Sequence, residues 1–283
     1  MEQFSSSAKL IVFLPLAILA VLLEAWLYRR RFGKEYPWGD SLTSVGVGLG
    51  HQITGVVNLT LIQGLMGGWA WEHRIFTMPA AWWTPVLLFL LLDFAYYWYH
   101  RAAHEVNVMW ATHSTHHSPG EMTLTASVRL GWTPFLSFSW LFFLPLVLLG
   151  FSVPSVFGML TVSLLYQFWL HTRLIGKLGW LEGIINTPSA HRVHHASNEQ
   201  FLDRNFGGFL IIFDRLFGTY APEGNEADIR YGLVHPNPSR NPFNVVFANW
   251  ADLVRRFVAM KGVVARMRVV FAKPAEVPAL PTR

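Results

Sequence analysis

Long apolar stretches separated by short polar ones dominate the first two thirds of this chain. Five of these stretches are candidates for membrane spans, and they cover residues 10–27, 42–71, 82–99, 135–149 and 155–170. A helix needs about 20 mostly apolar residues to cross the hydrocarbon core. We therefore predict an all-α, integral membrane helical bundle of about four to five spans. A tight turn at residues 150–154, with one glycine and one proline, predicts that the last two spans form a helical hairpin.

Basic residues set the predicted orientation of this bundle. Three arginines at positions 29–31 follow the first apolar stretch, and basic residues at the end of a span mark its cytosolic side. A secretory signal carries its charge before the apolar core, so we expect an uncleaved anchor here. Counting spans from this point places every histidine cluster on the cytosolic face. Residues from 172 onward then form a cytosolic, histidine-rich helical cap.

The same pattern divides the chain into three regions. Residues 1–80 are predicted to be N-terminal membrane anchor helices, residues 81–235 a central domain that contains the histidine clusters, and residues 236–283 a C-terminal cytosolic segment and tail. The end of the tail, residues 272–283, is rich in proline and alanine and is expected to be disordered. A low lysine content and the absence of a dilysine tail favour a bacterial inner membrane over the endoplasmic reticulum.

Composition supports the membrane assignment and narrows the chemistry. Hydrophobic residues make up 52% of the chain and charged residues 14%, against about 25% charged in ordinary soluble domains. The formal net charge of +5 lies beside apolar segments and is better explained by membrane topology than by nucleic-acid binding. Cysteine is absent, which excludes disulfides, thiolate zinc sites and iron–sulfur clusters. Any metal must therefore be bound by nitrogen or oxygen.

Histidines are concentrated in three short motifs. The spacings are H-x-x-x-H in the first motif and H-x-x-H-H in the other two, which place the rings on one face of a helix. Within each adjacent pair, the two rings are expected to diverge toward neighbouring metals. A ninth histidine caps the last span at the same depth. The candidate metal ligands are His100, His104, His113, His116, His117, His171, His191, His194 and His195.

For other residues near these motifs, the evidence for a role at a metal site is weaker. Asp93 lies seven positions before His100 on the same helical face, where its carboxylate could accept a hydrogen bond from a ligand ring. A single H-x-x-x-H often occurs without a metal, but so many close imidazoles would repel one another when charged. No ligand role is predicted for His51 or His235, and His73 is expected on the surface of an outer loop.

Ligand type alone does not choose the metal, because imidazole suits zinc, copper, iron and nickel. Structural zinc needs only four ligands, fewer than are present here. Two metals among aromatic and apolar residues at the membrane edge suggest oxidation of a hydrocarbon, and we expect two iron ions per chain. The alternatives are a histidine-rich metal transporter, which would place acidic ligands near the bilayer midplane, and a zinc-dependent membrane hydrolase, which would need a carboxylate base.

The three motifs, in this order, resemble those of the fatty acid hydroxylase superfamily, which includes sterol desaturases and alkylglycerol monooxygenase. The stretches from 202 to 208 and from 213 to 219 also resemble that family's sequence after the third motif, and the similarity covers roughly residues 82–232. The resemblance implies that the nine histidines are the iron ligands and that Asp203 and Asn205 support them. The first 80 residues match no part of the pattern.

By this resemblance, the expected function is a membrane-bound non-haem diiron oxidoreductase that uses O₂ to hydroxylate or desaturate a sterol, fatty acyl or related lipid. The lipid would enter from the bilayer. A separate electron donor, ferredoxin-like or cytochrome b5-like with its reductase, would supply electrons. Arg101 and Arg192 are expected to meet lipid headgroups or that donor. The choice of lipid, the choice between hydroxylation and desaturation, and the oligomeric state stay open.

Overall fold

The computed structural model describes residues 3–236 and 238–277. These residues form helices and turns with three isolated β-bridges and no longer strand, as the all-α prediction requires. The helices are α1 (Gln3–Phe32), α2 (Trp38–Leu65), α3 (Thr84–Glu105), α4 (Asn107–His117), α5 (Leu144–Leu148), α6 (Val153–Phe168), α7 (Pro188–His194), α8 (Ile212–Leu216), α9 (Pro242–Ala259) and α10 (Val263–Phe271).

Helix α2 continues through a π-helical turn at Met66–Ala70, and together they form one 33-residue element. Among the described residues this is the one helix both long and apolar enough to cross a membrane, while α6 is apolar but shorter. Several of its large apolar side chains are uncovered, including Ile53 at 75% and Val56 at 70% exposed. Such a surface is unfavourable in water and is normal for a helix that faces lipid.

Of the predicted hairpin of two spans, only the second arm is a continuous helix. Its second arm is α6, whose first turn is capped by the Ser152 hydroxyl, which accepts from the backbone N–H of Ser155. Its first arm is broken, because residues 135–149 contain a short 3₁₀ turn and the five-residue α5. Phe138 adopts a left-handed conformation with φ of 59°, and Pro145 cannot donate a backbone hydrogen bond. This region therefore folds as a compact plug of turns against α3 and α6.

The chain reverses between α3 and α4 within a single residue. Val106 is extended, with φ of −122° and ψ of 117°, so helix α3 ends there and α4 begins at once. Asn107 holds the reversal by donating from Nδ2 to the Val269 carbonyl at 2.8 Å in α10. The sharp turn places the last turn of α3 beside α4, which brings the first two histidine motifs face to face.

The C-terminal segment packs onto this pair of helices. Helix α9 lies against α4 and α2, and α10 packs on both α9 and α4. The prediction that residues 272–283 are disordered is wrong for its first part. The Ala272 carbonyl accepts from the backbone N–H of Asn107 at 3.0 Å, and a 3₁₀ turn follows at Pro274–Glu276. Residues 278–283 lie outside the described part of the chain.

Candidate metal centre

Three helices carry the predicted ligands toward one point. Two histidines lie in the last turn and a half of α3, three lie at the end of α4, and three lie in and just after α7. Helix α7 begins at a defined residue because the Thr187 hydroxyl accepts from the backbone N–H of Ala190 and Pro188 occupies the first turn. The ninth histidine, His171, follows α6. All nine rings therefore converge from separate parts of the sequence.

The nine histidines form two groups, each with its ligand atoms within 4.8 Å of one another. The first group is His100, His104, His113, His117 and His194, and the second is His116, His171, His191 and His195. Both adjacent pairs are divided between the groups, as their divergence on the helix predicts. The groups are neighbours, since the rings of His117 and His195 stack with centroids 4.3 Å apart.

Distances between ring nitrogens fit shared metal ions. In the first group, the Nε2 of His113 lies 3.0 Å from that of His100 and 3.2 Å from that of His117. In the second, the Nε2 of His171 lies 3.2 Å from that of His116 and 3.0 Å from that of His191. Two nitrogens bound at right angles to one ion at about 2.1 Å would lie about 3.0 Å apart.

Unpaired nitrogens give a second test of the fit. The Nε2 atoms of His104, His194 and His195 are buried and have no hydrogen-bond partner. An isolated buried polar atom is unfavourable by about 1–3 kcal/mol, so native structures rarely keep several of them together. A divalent ion in each group would satisfy them, those of His104 and His194 in the first group and that of His195 in the second. The residues present therefore fit a pair of metal ions bound by nitrogen.

The opposite ring nitrogens are held by backbone carbonyls. The Nδ1 of His100 lies 2.8 Å from the Phe206 carbonyl, that of His194 lies 3.0 Å from the Arg204 carbonyl, and that of His171 lies 2.9 Å from the Gln167 carbonyl. A carbonyl can only accept, so each Nδ1 carries the proton and each Nε2 is left bare. This arrangement presents Nε2 to a metal, as in other metal-binding histidines.

Burial and mutual repulsion favour the neutral form of two of these rings, those of His117 and His194. For His117, desolvation is the largest cause and the neighbouring ring of His195 the next, and together they lower its pKa well below the usual value. The pKa of His194 is lowered well below the usual value by desolvation and then by His100. Because only a neutral imidazole binds a metal, these shifts favour binding.

The loop after α7 is held in place by two carboxylates. Contrary to the prediction, Asp93 is not hydrogen-bonded to a ligand ring. Its oxygens accept from the backbone N–H groups of Phe209 and Leu210 at 2.9 and 2.8 Å, because the loop crosses the face of α3 where Asp93 lies. A Cβ on Gly208 would lie 2.8 Å from the Tyr96 ring and 3.0 Å from that carboxylate, so a larger residue there would require these groups to shift.

The second carboxylate, Asp214, received no role in the sequence analysis. Its two oxygens accept from the backbone N–H groups of Phe206 at 2.7 Å and Gly207 at 2.8 Å. Burial raises the pKa of this carboxyl to about 6. The Gly207 N–H belongs to the same peptide unit as the Phe206 carbonyl, which contacts the Nδ1 of His100. Asp214 therefore helps to fix the position of the carbonyl that orients His100. The sequence feature that could have indicated this role is the position of Asp214 in the stretch from 213 to 219, which resembles the family's sequence.

The two predicted support residues occupy left-handed backbone conformations, with φ of 56° for Asp203 and 58° for Asn205. The Oδ1 of Asp203 lies 3.6 Å from the Nδ1 of His104, on the side of the ring away from the first group. Asn205 touches no ligand ring. Its Nδ2 donates to the carbonyls of Ala190 at 2.9 Å and Ala221 at 2.8 Å, so it fixes α7 from behind.

Arg192 does not face lipid or a partner, which corrects the prediction. Its side chain is 1% exposed and forms a bidentate ion pair with Glu223, with nitrogen–oxygen distances of 2.6 and 2.8 Å. It also donates to the carbonyls of Thr172 and Ile175. Its neighbours in the H-x-x-H-H motif face the metals, so the intervening arginine points to the opposite side of α7. Arg101 is partly exposed and pairs with Glu105 at 3.3 Å.

A cavity of about 580 Å³ adjoins both histidine groups. His113 of the first group and His116 and His171 of the second contribute to its wall. The rest is mostly apolar and comes from α2, α3, the plug at 135–149 and α6, including Met66 and Phe157. The cavity therefore has room for a hydrocarbon chain beside both histidine groups.

The remaining histidines lie outside both groups. His51 is in α2 and lines the cavity, with its Nδ1 2.8 Å from the Gly131 carbonyl. His73 is exposed and stacks on Trp69, and His235 is exposed near the C-terminal segment.

The sequence of this chain is similar to those of known proteins. Residues 85–219 match the family model described as fatty acid hydroxylase. Alkylglycerol monooxygenase of Homo sapiens is 40% identical over 278 residues, covering 94% of this chain and 60% of the relative. The enzyme of the same name from Xenopus tropicalis is 38% identical over 279 residues, covering 96% of this chain and 60% of the relative.

A bacterial relative is also similar. Ornithine lipid hydroxylase OlsE of Rhizobium tropici is 32% identical over 146 residues, covering 51% of this chain and 44% of that protein. The chain thus spans about three fifths of the length of the alkylglycerol monooxygenases that it matches. No solved structure matches it.

Proposed function

Since the chain belongs to the fatty acid hydroxylase superfamily, we propose that it is a membrane-bound oxidoreductase that uses O₂ and two iron ions to hydroxylate a lipid. The observation that carries this proposal is the position of two all-histidine groups on the wall of one largely apolar cavity. A cavity of this kind suits a hydrocarbon substrate, and ligand groups on its wall suit metals that act on that hydrocarbon.

One iron would be held by the five-histidine group and the other by the four-histidine group. When bound, the iron pair supplies the capacity to reduce O₂ and to oxidise an aliphatic C–H bond, which no side chain possesses. The protein residues bind and orient. The carbonyls of Phe206, Arg204 and Gln167 fix three imidazole rings, and the apolar wall excludes water from the substrate chain.

The proposed topology is multi-pass, with the metal centre on the cytosolic face. It is supported by the apolar exposed surface of α2, by the arginines at the end of α1 and by the polar cap built from residues after 172. Because the relatives come from vertebrates and from a rhizobial bacterium, the bacterial inner membrane stays a prediction.

Hydroxylation is preferred over desaturation because the relatives bear the names monooxygenase and hydroxylase. Alkylglycerols are the first lipid class to test, since the relatives matched along most of this chain carry that name. The reaction needs electrons from a separate donor, for which a ferredoxin-like or cytochrome b5-like protein with its reductase is proposed.

The two alternative functions are disfavoured by the ligand set. A transporter or a zinc hydrolase would be expected to use acidic groups at the metal. Within the described ranges neither histidine group includes a carboxylate, and the nearest one recorded, that of Asp203, lies behind a ring.

Lipid turnover tests the proposal directly. Purified protein in detergent, loaded with ferrous iron and supplied with a reductant, is mixed with an alkylglycerol under ¹⁸O₂. We expect a product that contains one ¹⁸O atom, and loss of that product when both His113 and His116 are replaced by alanine. A mass loss of two hydrogens would indicate desaturation instead, and O₂-independent hydrolysis would refute the proposal.

A further inference from the structure

His51 is a polar residue of the cavity wall. It lies on α2, where Gln52, Gly55, Val56 and Asn58 also line the cavity. Its side chain is half-buried and belongs to neither histidine group. The proposed metal chemistry therefore leaves this imidazole without a role, although it faces the same space as three of the proposed ligands.

The orientation of the His51 ring is fixed from behind. Its Nδ1 lies 2.8 Å from the Gly131 carbonyl, and because a carbonyl only accepts, Nδ1 carries the proton. In the neutral ring, Nε2 is then a bare acceptor. No hydrogen bond to this Nε2 is recorded from any residue in 3–236 or 238–277. The ring thus offers the cavity one acceptor and no donor.

A short chain of contacts links His51 to the metal centre. Gly131, which holds its ring, packs so closely on α4 that a Cβ there would lie 2.5 Å from the Thr112 carbonyl. Thr112 directly precedes His113 of the first group. Gly131 therefore contacts both the His51 ring and the residue before His113, and both histidines line the same cavity.

The rest of the cavity provides room for a long apolar chain. Ile62 and Met66 of α2, Phe143 of the plug and Leu160 of α6 line it. His51 lines the same cavity, so there is room for a lipid with its tail among these residues and its polar end beside His51. The partner that suits a bare imidazole nitrogen is a hydroxyl donor, and an esterified or etherified oxygen cannot donate.

We infer that the cavity contains a subsite for a free lipid hydroxyl, with the Nε2 of His51 as its acceptor. This inference rests on the proposed lipid-oxidising function for its choice of ligand, and it narrows the substrate class to lipids with an unesterified hydroxyl near the reacting end. His51 acts as a positioning residue that selects the lipid and holds its polar end beside the histidine groups.

The test compares binding of two lipids to the iron-loaded protein in detergent, without reductant, so that no turnover occurs. The probes are hexadecylglycerol and the same ether lipid with both hydroxyls methylated. One neutral hydrogen bond corresponds to about a three- to tenfold preference for the free-hydroxyl lipid. In His51→Asn the amide can keep the bond to Gly131 while the Nε2 acceptor is removed, and we expect the preference to disappear.

His73→Asn is the matched control. The Nδ1 of His73 also contacts a backbone carbonyl at 2.8 Å, but this residue lies outside the cavity, so the preference should be unchanged. Equal binding of both lipids by the unaltered protein would overturn the inference even if His51→Asn failed to fold. So would an unchanged preference in His51→Asn.

Oxidation assays on the same samples separate this inference from the proposed function. A His51-dependent preference without O₂-dependent oxidation of either lipid would leave the hydroxyl subsite standing and refute the proposed reaction. Oxidation of both lipids without any binding preference would support the proposed reaction and refute the hydroxyl subsite.

Discussion

The ion pair between Arg192 and Glu223 gives the sharpest prediction about what holds the metal centre together. Both side chains are almost fully buried, at 1% and 3% exposed, and Arg192 lies between two metal-facing histidines of α7. Replacing Glu223 by leucine leaves the guanidinium with only the Thr172 and Ile175 carbonyls as partners. Removing one member of a buried pair typically destabilises a protein by about 3–5 kcal/mol.

A double-mutant cycle isolates the pair itself. We expect Glu223→Leu and Arg192→Met each to lower the free energy of unfolding by about 3–5 kcal/mol, and the double variant to lower it by a similar amount rather than by the sum. The coupling energy is then about 3 kcal/mol. Denaturant titration of the purified protein in detergent micelles, followed by tryptophan fluorescence, measures each value.

The exposed pair between Arg255 and Asp252 on α9 serves as the control. Arg255 is 67% exposed, so Arg255→Met should change the free energy of unfolding by less than about 1 kcal/mol. Single variants at Arg192 and Glu223 that are equally mild, or a double variant whose effect is the sum of the two, would show that the buried pair does not stabilise α7 in the way described.

Three further predictions concern the metal centre. Asp214→Ala should weaken iron binding about 10- to 100-fold in competition with a chelator, because the Phe206 carbonyl that orients His100 loses its anchor; unchanged affinity would contradict this. His116→Ala and His117→Ala should each retain one of two irons, with different Mössbauer spectra, because these neighbours belong to different groups; identical spectra would argue against the division. Chelation of iron should lower the melting temperature of the unaltered protein, since the metal binds only the folded state, and an unchanged value would contradict that linkage.

The division of the histidines into two groups could be predicted in part from sequence because it depends on short-range geometry. Spacings of three and four residues place rings on one helical face, and adjacent histidines must point in different directions. The division of His116 from His117, and of His194 from His195, follows from this rule. How the first two motifs approach one another depends on the one-residue reversal at Val106, which no local pattern specifies.

The errors arose where long-range contacts decide the structure. Apolar composition alone suggested a span at 135–149, but the backbone there is broken at Phe138 and before Pro145. An arginine in a histidine motif suggested a headgroup contact, whereas Glu223, 31 positions later, buries it. Asp93 was placed on the correct helical face, yet its partners are backbone N–H groups more than 100 residues away.

Metal analysis of the intact protein tests the central claim most directly. Protein purified from cells grown with ⁵⁷Fe should contain two irons per chain, and its Mössbauer spectrum should show two nitrogen-rich sites. Zinc in place of iron, or a single ion shared by all nine histidines, would contradict the account of two neighbouring iron sites on the wall of a lipid cavity.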